Sequence, residues 1–264
     1  MNRIRAIAFN TFREAVRDRV LYNLIVFAIL IIGSSLLFGQ ISIGVEKIVL
    51  VNLGLTSISI FGIVIAVFIG IQLVSKEIEK RTLYTVLAAR PVSRWEFILG
   101  KEFGLIGTLV VNASLMAIGF FAALFYLTRQ FVHDDRYLLV ALYFILLQFV
   151  LITSLALFFS TFSSPLLSSI FTFALFVIGS FAEDLRMFAA IAGGATKVVT
   201  TALAYLVPNF AALNVISQVA HAGDPFVTVA IPGKLILMNT LYVLVYAGAI
   251  TSAAVLVFER RNLK

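Results

Sequence analysis

The sequence predicts an all-α polytopic membrane protein with six transmembrane helices. Three observations carry that prediction. Of 264 residues, 61% are hydrophobic and only 12% are charged, where a soluble domain carries roughly 25% charge. Mean hydropathy is +1.07, and several apolar runs reach the roughly 20 residues a helix needs to cross a bilayer. The short alternating segments of an outer-membrane barrel, about 10 residues each, are absent.

Taken in order, residues 3–19 read as an amphipathic helix. Ile4, Ile7, Ala8, Phe12, Ala15 and Val16 recur at helical spacing, with Arg5, Arg13, Arg17 and Asp18 elsewhere around the wheel. A basic amphipathic helix ahead of a span is expected to lie in the membrane interface; the alternative is a simple basic flank. The segment is too charged, and the apolar run after it too long, for a cleavable signal.

The first span is expected over residues 20–38 and the second over 48–74. A polar island, residues 75–101, follows. The third span covers 103–127, then a loop carries His133, Asp134 and Asp135. The fourth covers 137–162, Ser163-Ser164-Pro165 turns the chain, and the fifth covers 166–181. Residues 182–234 interrupt the pattern with charges, Gly193-Gly194 and three prolines. Within it, 195–207 reads as a short helix broken at Pro208, either re-entrant or lying on the surface. The last span covers 235–258.

Charge bias sets orientation. With the N-terminus inside, 14 Lys and Arg lie on the inner side and 6 on the outer. Six spans then put both termini in the cytoplasm, and residues 75–101 with them. The net charge of +7 is read as this topology signal and not as a nucleic-acid surface. There is no cysteine, which excludes disulfides and thiolate metal sites.

The six spans as bounded contain no Asp, Glu, Lys, Arg or His. Ion-coupled carriers usually place such groups or broken helices at mid-membrane, so the pattern argues against that class. No phosphate-cradling loop occurs: Gly100-Lys101 is followed by Glu102, and Trp95 stands where the first glycine belongs. The chain is therefore not expected to hydrolyse ATP or to be an enzyme. The only histidines, His133 and His221, sit outside any HExxH pattern. Glu77, Glu79 and Arg81 faintly resemble the motif of paired-glutamate intramembrane proteases, but a self-paired solvated helix face explains them better.

The island holds 6 of the 20 Lys and Arg. Residues 75–88 can extend the second span as a helix. Pro91 drives Arg90 out of helical geometry. Ser93-Arg94-Trp95-Glu96 is a capping-box pattern, so a second helix should start at Ser93 and run into the third span. The product is a two-armed elbow, longer than a plain connector requires.

Glu79, Arg81-Thr82-Leu83, Leu87, Arg90-Pro91-Val92-Ser93-Arg94 and Gly100-Lys101 resemble the cytoplasmic loop of ABC-2-type permeases, the membrane subunits of bacterial ATP-binding-cassette exporters. Tyr205-Leu206-Val207-Pro208-Asn209-Phe210 is similar to the Leu-Pro-Asn segment that precedes their last span. Phe258-Glu259-Arg260-Arg261-Asn262-Leu263 is similar to their C-terminal ending. The resemblance spans the whole chain. It implies a single ABC-2-type transmembrane domain (1–264) in the inner membrane. The domain would comprise an interfacial helix (1–19), a coupling loop (75–101) and an extracytoplasmic segment (182–234).

The resemblance also implies a second permease, identical or paralogous, and two copies of a separate cytoplasmic ATPase that hold the ATP and Mg; this chain itself needs no cofactor. Glu79, Arg81, Thr82, Leu83, Arg90, Pro91, Arg94 and Glu96 form the expected ATPase contact, with a mechanical role and no catalytic residue. Beyond that ATPase and other permease, the expected partners are membrane lipids. A membrane scaffold that anchors an ATPase for cell-envelope or pilus assembly, without moving a solute, is the alternative. Two small-residue strips, Gly62-Ala66-Gly70 and Gly100-Gly104-Gly107, permit close helix approach, between subunits or within one.

Overall fold

The computed structural model describes residues 2–41, 45–79, 93–130, 135–221 and 231–260. They form α1 (Asn2–Val16), α2 (Arg19–Ile41), α3 (Glu46–Glu79), α4 (Arg94–Thr128), α5 (Arg136–Ser160), α6 (Pro165–Ser180), α7 (Ala182–Ile191), α8 (Gly194–Leu206), α9 (Ile216–Ala220) and α10 (Gly233–Arg260). A 3-10 turn occupies Ala211–Leu213. The described residues contain no strand.

Helices α3, α4, α5 and α10 are each long and apolar enough to cross a membrane. Two bent pairs, α6 with α7 (56°) and α8 with residues 211–220 (43°), raise the number to six if each pair is one span. These are not the six spans read from the sequence. The predicted first span lies inside the 23-residue α2. The predicted fifth span is the 16-residue α6, about 24 Å long and short of a hydrocarbon core of about 30 Å. At Phe181 the chain turns into α7 instead of continuing.

The centre of the bundle is α3 and α5, whose apolar stretches are 72% and 67% buried, against 28% for α10. Both small-residue strips are consumed inside the chain. The Phe149 ring occupies the space a side chain on Gly62 would need, and Leu105 and Ala156 abut Gly70. Helix α1 crosses α4 on the second strip. A methyl at Gly100 would stand 2.6 Å from Ile7 Cγ2, and one at Gly104 would stand 2.5 Å from the Ala8 carbonyl oxygen. Bare backbone there is what admits the crossing. Much of the apolar face of α1 is thus spent on α4, with Thr11 and Ala15 fully buried.

At the end of the bundle remote from the 80–92 segment, Lys47 Nζ and Asp135 Oδ1 pair at 2.7 Å. They join the first turns of α3 and α5, and Asp135 is 7% exposed.

Residues 206–212 run along one face of α10. The Leu206 carbonyl accepts from the Tyr246 hydroxyl at 2.7 Å, and the Asn209 amide donates to the Tyr242 hydroxyl at 2.9 Å. The Ala212 carbonyl accepts from Asn239 Nδ2 at 3.4 Å. Positions 239, 242 and 246 share a helix face. Tyr246 lies about 20 Å along α10 from Gly233, so this segment descends beside the span. Pro208 ends α8, as its missing amide and ring require. Gly179 of α6 leaves room for the Pro208 carbonyl and the Phe210 ring, and the Phe210 amide donates to the Gly179 carbonyl at 3.1 Å.

Candidate coupling site

The chain enters α4 at Ser93, whose backbone is extended (φ −69°, ψ 148°). The Ser93 amide donates to Glu96 Oε2 at 3.0 Å, and the two residues complete the capping box. The helix start is thus fixed within four consecutive residues, as the sequence pattern predicts.

Arg94 points to the other end of the chain. Its Nη1 donates to the Phe258 carbonyl at 2.5 Å and the Glu259 carbonyl at 2.8 Å, and its guanidinium lies 5.7 Å from the Phe258 ring centroid. Carbonyls in the last turn of a helix lack intrahelical donors, and a cation there also suits the helix dipole. Phe97 stacks on Phe258 with centroids 5.9 Å apart and planes 15° from parallel. Arg94 therefore caps α10 while belonging to the first turn of α4.

Two turns further along α4, Lys101 and Glu102 are buried, at 1% and 6% exposure. Lys101 Nζ lies 5.7 Å from the Phe97 ring centroid, a cation–π distance. Glu102 faces two other helices. Ser154 Oγ of α5 reaches Glu102 Oε1 at 2.6 Å. Thr251 Oγ1 of α10 lies 3.0 Å from Oε1 and 2.9 Å from Oε2. Each hydroxyl also lies within reach of its own helix carbonyl one turn back, Val150 for Ser154 and Ala247 for Thr251. A hydroxyl has one proton to donate, so each chooses between the carboxylate and its own helix.

Of the residues expected at the contact, Arg94 and Glu96 come together at the foot of α4, and Glu79 is the last residue of α3. Arg81, Thr82, Leu83, Arg90 and Pro91 lie outside the described residues. Sequence reasoning misses Glu102, because an apolar span bounded at Phe103 leaves it at the edge of the polar island. Ser154 and Thr251 do not stand out as its partners, because their spans also hold Gln148, Thr153, Ser160, Asn239, Thr240 and Ser252.

The arrangement braces α4 against α10 at two levels, Arg94 with 258–259 and Glu102 with Thr251. The levels are eight residues apart on one helix and seven to eight on the other, as antiparallel neighbours require. Ser154 brings in α5 at the second level. The first three turns of α4 are therefore tied to both α10 and α5 by side-chain hydrogen bonds.

No curated protein matches the chain. A family model described as "ABC-2 family transporter protein" matches residues 5–263, nearly the full length, including the elbow, the Leu-Pro-Asn segment and the C-terminal turn. The chain belongs to the ABC-2 family of transporter proteins.

Proposed function

We propose that the chain is the membrane-spanning permease subunit of an ABC exporter in the inner membrane, with both termini and residues 75–101 in the cytoplasm. It couples ATP hydrolysis by two copies of a separate ATPase subunit to movement of a substrate, in complex with a second permease copy or a paralogue. The observation that carries this reading is the two-level brace. The helix leaving the expected docking loop is tied by Arg94 and Glu102 to α10 and α5, so a push on the loop moves the bundle and not the loop alone. The residues expected to meet the ATPase are Glu79, Arg81, Thr82, Leu83, Arg90, Pro91 and Glu96, with Arg94 transmitting the load.

Co-purification tests it. The tagged chain, expressed with a Walker-type ATPase subunit, retains that subunit, and the paired reversals Glu79→Arg and Arg81→Glu release it. Failure of the unaltered chain to hold an ATPase overturns the reading. An ATPase that is held but never stimulated, with no solute moved, favours the scaffold.

A further inference from the structure

The packing of α1 on α4 leaves a groove of about 580 Å³ beside the crossing, lined by Arg5, Phe9, Phe12, Phe103, Gly104 and Gly107, with alanines between them. Its floor is glycine and its walls are aromatic. Phe9 and Phe103 are 66% and 58% exposed, a large apolar exposure for a helix whose apolar face is already used. Arg5, Phe9, Arg13 and Arg17 stand four residues apart and form one exposed stripe along α1 and just past its end. Among the described residues no carboxylate pairs with Arg5 or Arg13. A second, polar hollow of about 550 Å³, lined by Asn10, Arg13, Glu14 and Arg17, lies along the same stripe.

We propose that this groove binds one anionic glycerophospholipid, its acyl chain between Phe9, Phe12 and Phe103 and its phosphate on Arg5 and Arg13. An apolar slot with the Arg5 guanidinium in its lining, and a second guanidinium, Arg13, in the polar hollow farther along the same stripe, complements a molecule with a hydrocarbon tail and a phosphate head. A soluble anion would leave the slot empty, and an uncharged apolar molecule would leave the arginines unanswered. Guanidinium groups suit phosphate because they donate bidentately. The glycines at 104 and 107 have two uses: Gly104 admits α1, and Gly107 has spare room, its nearest side-chain neighbour being Phe12 at 3.7 Å from a built Cβ. The proposal rests on α1 lying at the membrane interface, and the experiment separates the two claims.

The chain has a single tryptophan, Trp95. Combining Trp95→Phe with Phe103→Trp moves the only indole into the groove wall. The full-length chain is reconstituted into phosphatidylcholine vesicles containing either brominated phosphatidylglycerol or brominated phosphatidylcholine, and quenching is followed against mole fraction. Phosphatidylglycerol should half-quench at a much lower mole fraction than phosphatidylcholine. Arg5→Gln and Arg13→Gln should each erode that preference roughly fivefold, the expected contribution of a basic residue at an anionic surface. Gly107→Leu should reduce quenching by both lipids, and millimolar inorganic phosphate should leave it unchanged. Equal quenching by the two lipids, or a preference that survives both arginine substitutions, overturns the lipid site while leaving α1 at the interface. Competition by free phosphate overturns it in favour of a plain anion site. Absence of quenching by either lipid removes the interfacial placement of α1 and the site with it.

Discussion

Thr251 of α10 reaches both oxygens of Glu102, a carboxylate 149 residues away in sequence, at 3.0 and 2.9 Å. A carboxylate in the interior of a helix bundle stays only where its oxygens are answered by donors. Thr251→Val keeps the shape and removes one donor. It is expected to lower stability by about 1 kcal/mol, the usual worth of a side-chain hydrogen bond, read as a lower midpoint of thermal unfolding in detergent. Adding Ser154→Ala should cost more than the sum of the single effects, because the carboxylate is then left without either hydroxyl. Strictly additive, near-zero changes would contradict the brace.

Arg94→Ala uncaps α10. Its last turn, residues 255–260, should exchange amide hydrogens several-fold faster, as expected for losing about 1 kcal/mol of local protection, while the middle of α4 is unchanged. Arg94→Lys should recover only part of the protection, because one ammonium does not reproduce the guanidinium stacked on Phe258.

Two of the glycines on α4, Gly104 and Gly107, should respond oppositely to alanine. Gly104→Ala collides with the Ala8 carbonyl and is expected to cost about 2 kcal/mol or more, the range of overpacking. Gly107→Ala meets no hard contact and should be neutral or gain up to about 1 kcal/mol of helix propensity. Thermal unfolding of the two variants side by side checks both signs.

Tyr246→Phe and Tyr242→Phe each remove one bond from the segment lying along α10. Each should cost about 1 kcal/mol. Hydrogen exchange at the Asn209 amide, which donates to Tyr242, should quicken in Tyr242→Phe more than in Tyr246→Phe.

What can be read from sequence follows the range of the interactions involved. Ser93 and Glu96 announce a helix start because the whole device sits within four residues. Pro208 announces the end of α8 for the same reason. The apolar lengths of α3, α4, α5 and α10 are equally plain, since crossing a bilayer sets a minimum run. The α6–α7 bend is not, because residues 166–181 hold neither a charge nor a proline to mark where the helix stops. The glycine strips declare that something approaches closely without naming it, and the partners are Phe149 and α1 of the same chain. Glu102 is hidden by distance: its hydroxyls come from residues 52 and 149 positions away, a separation that only the packing of three helices closes. The contact residues from Arg81 to Pro91 stand as expectations of the resemblance and of the elbow's local chemistry.

Residues 80–92 are proposed to receive work from an ATPase. The chain has no cysteine, so a single cysteine at Arg90 gives a clean cross-linking probe, and one at Gln130, beyond the other end of α4, gives the control. With the ATPase subunit co-expressed in intact membranes, a short bifunctional reagent should link position 90 to the ATPase and leave position 130 unlinked, with the yield at 90 changing when ATP is added. No link from position 90, or equal links from both positions, would contradict the account.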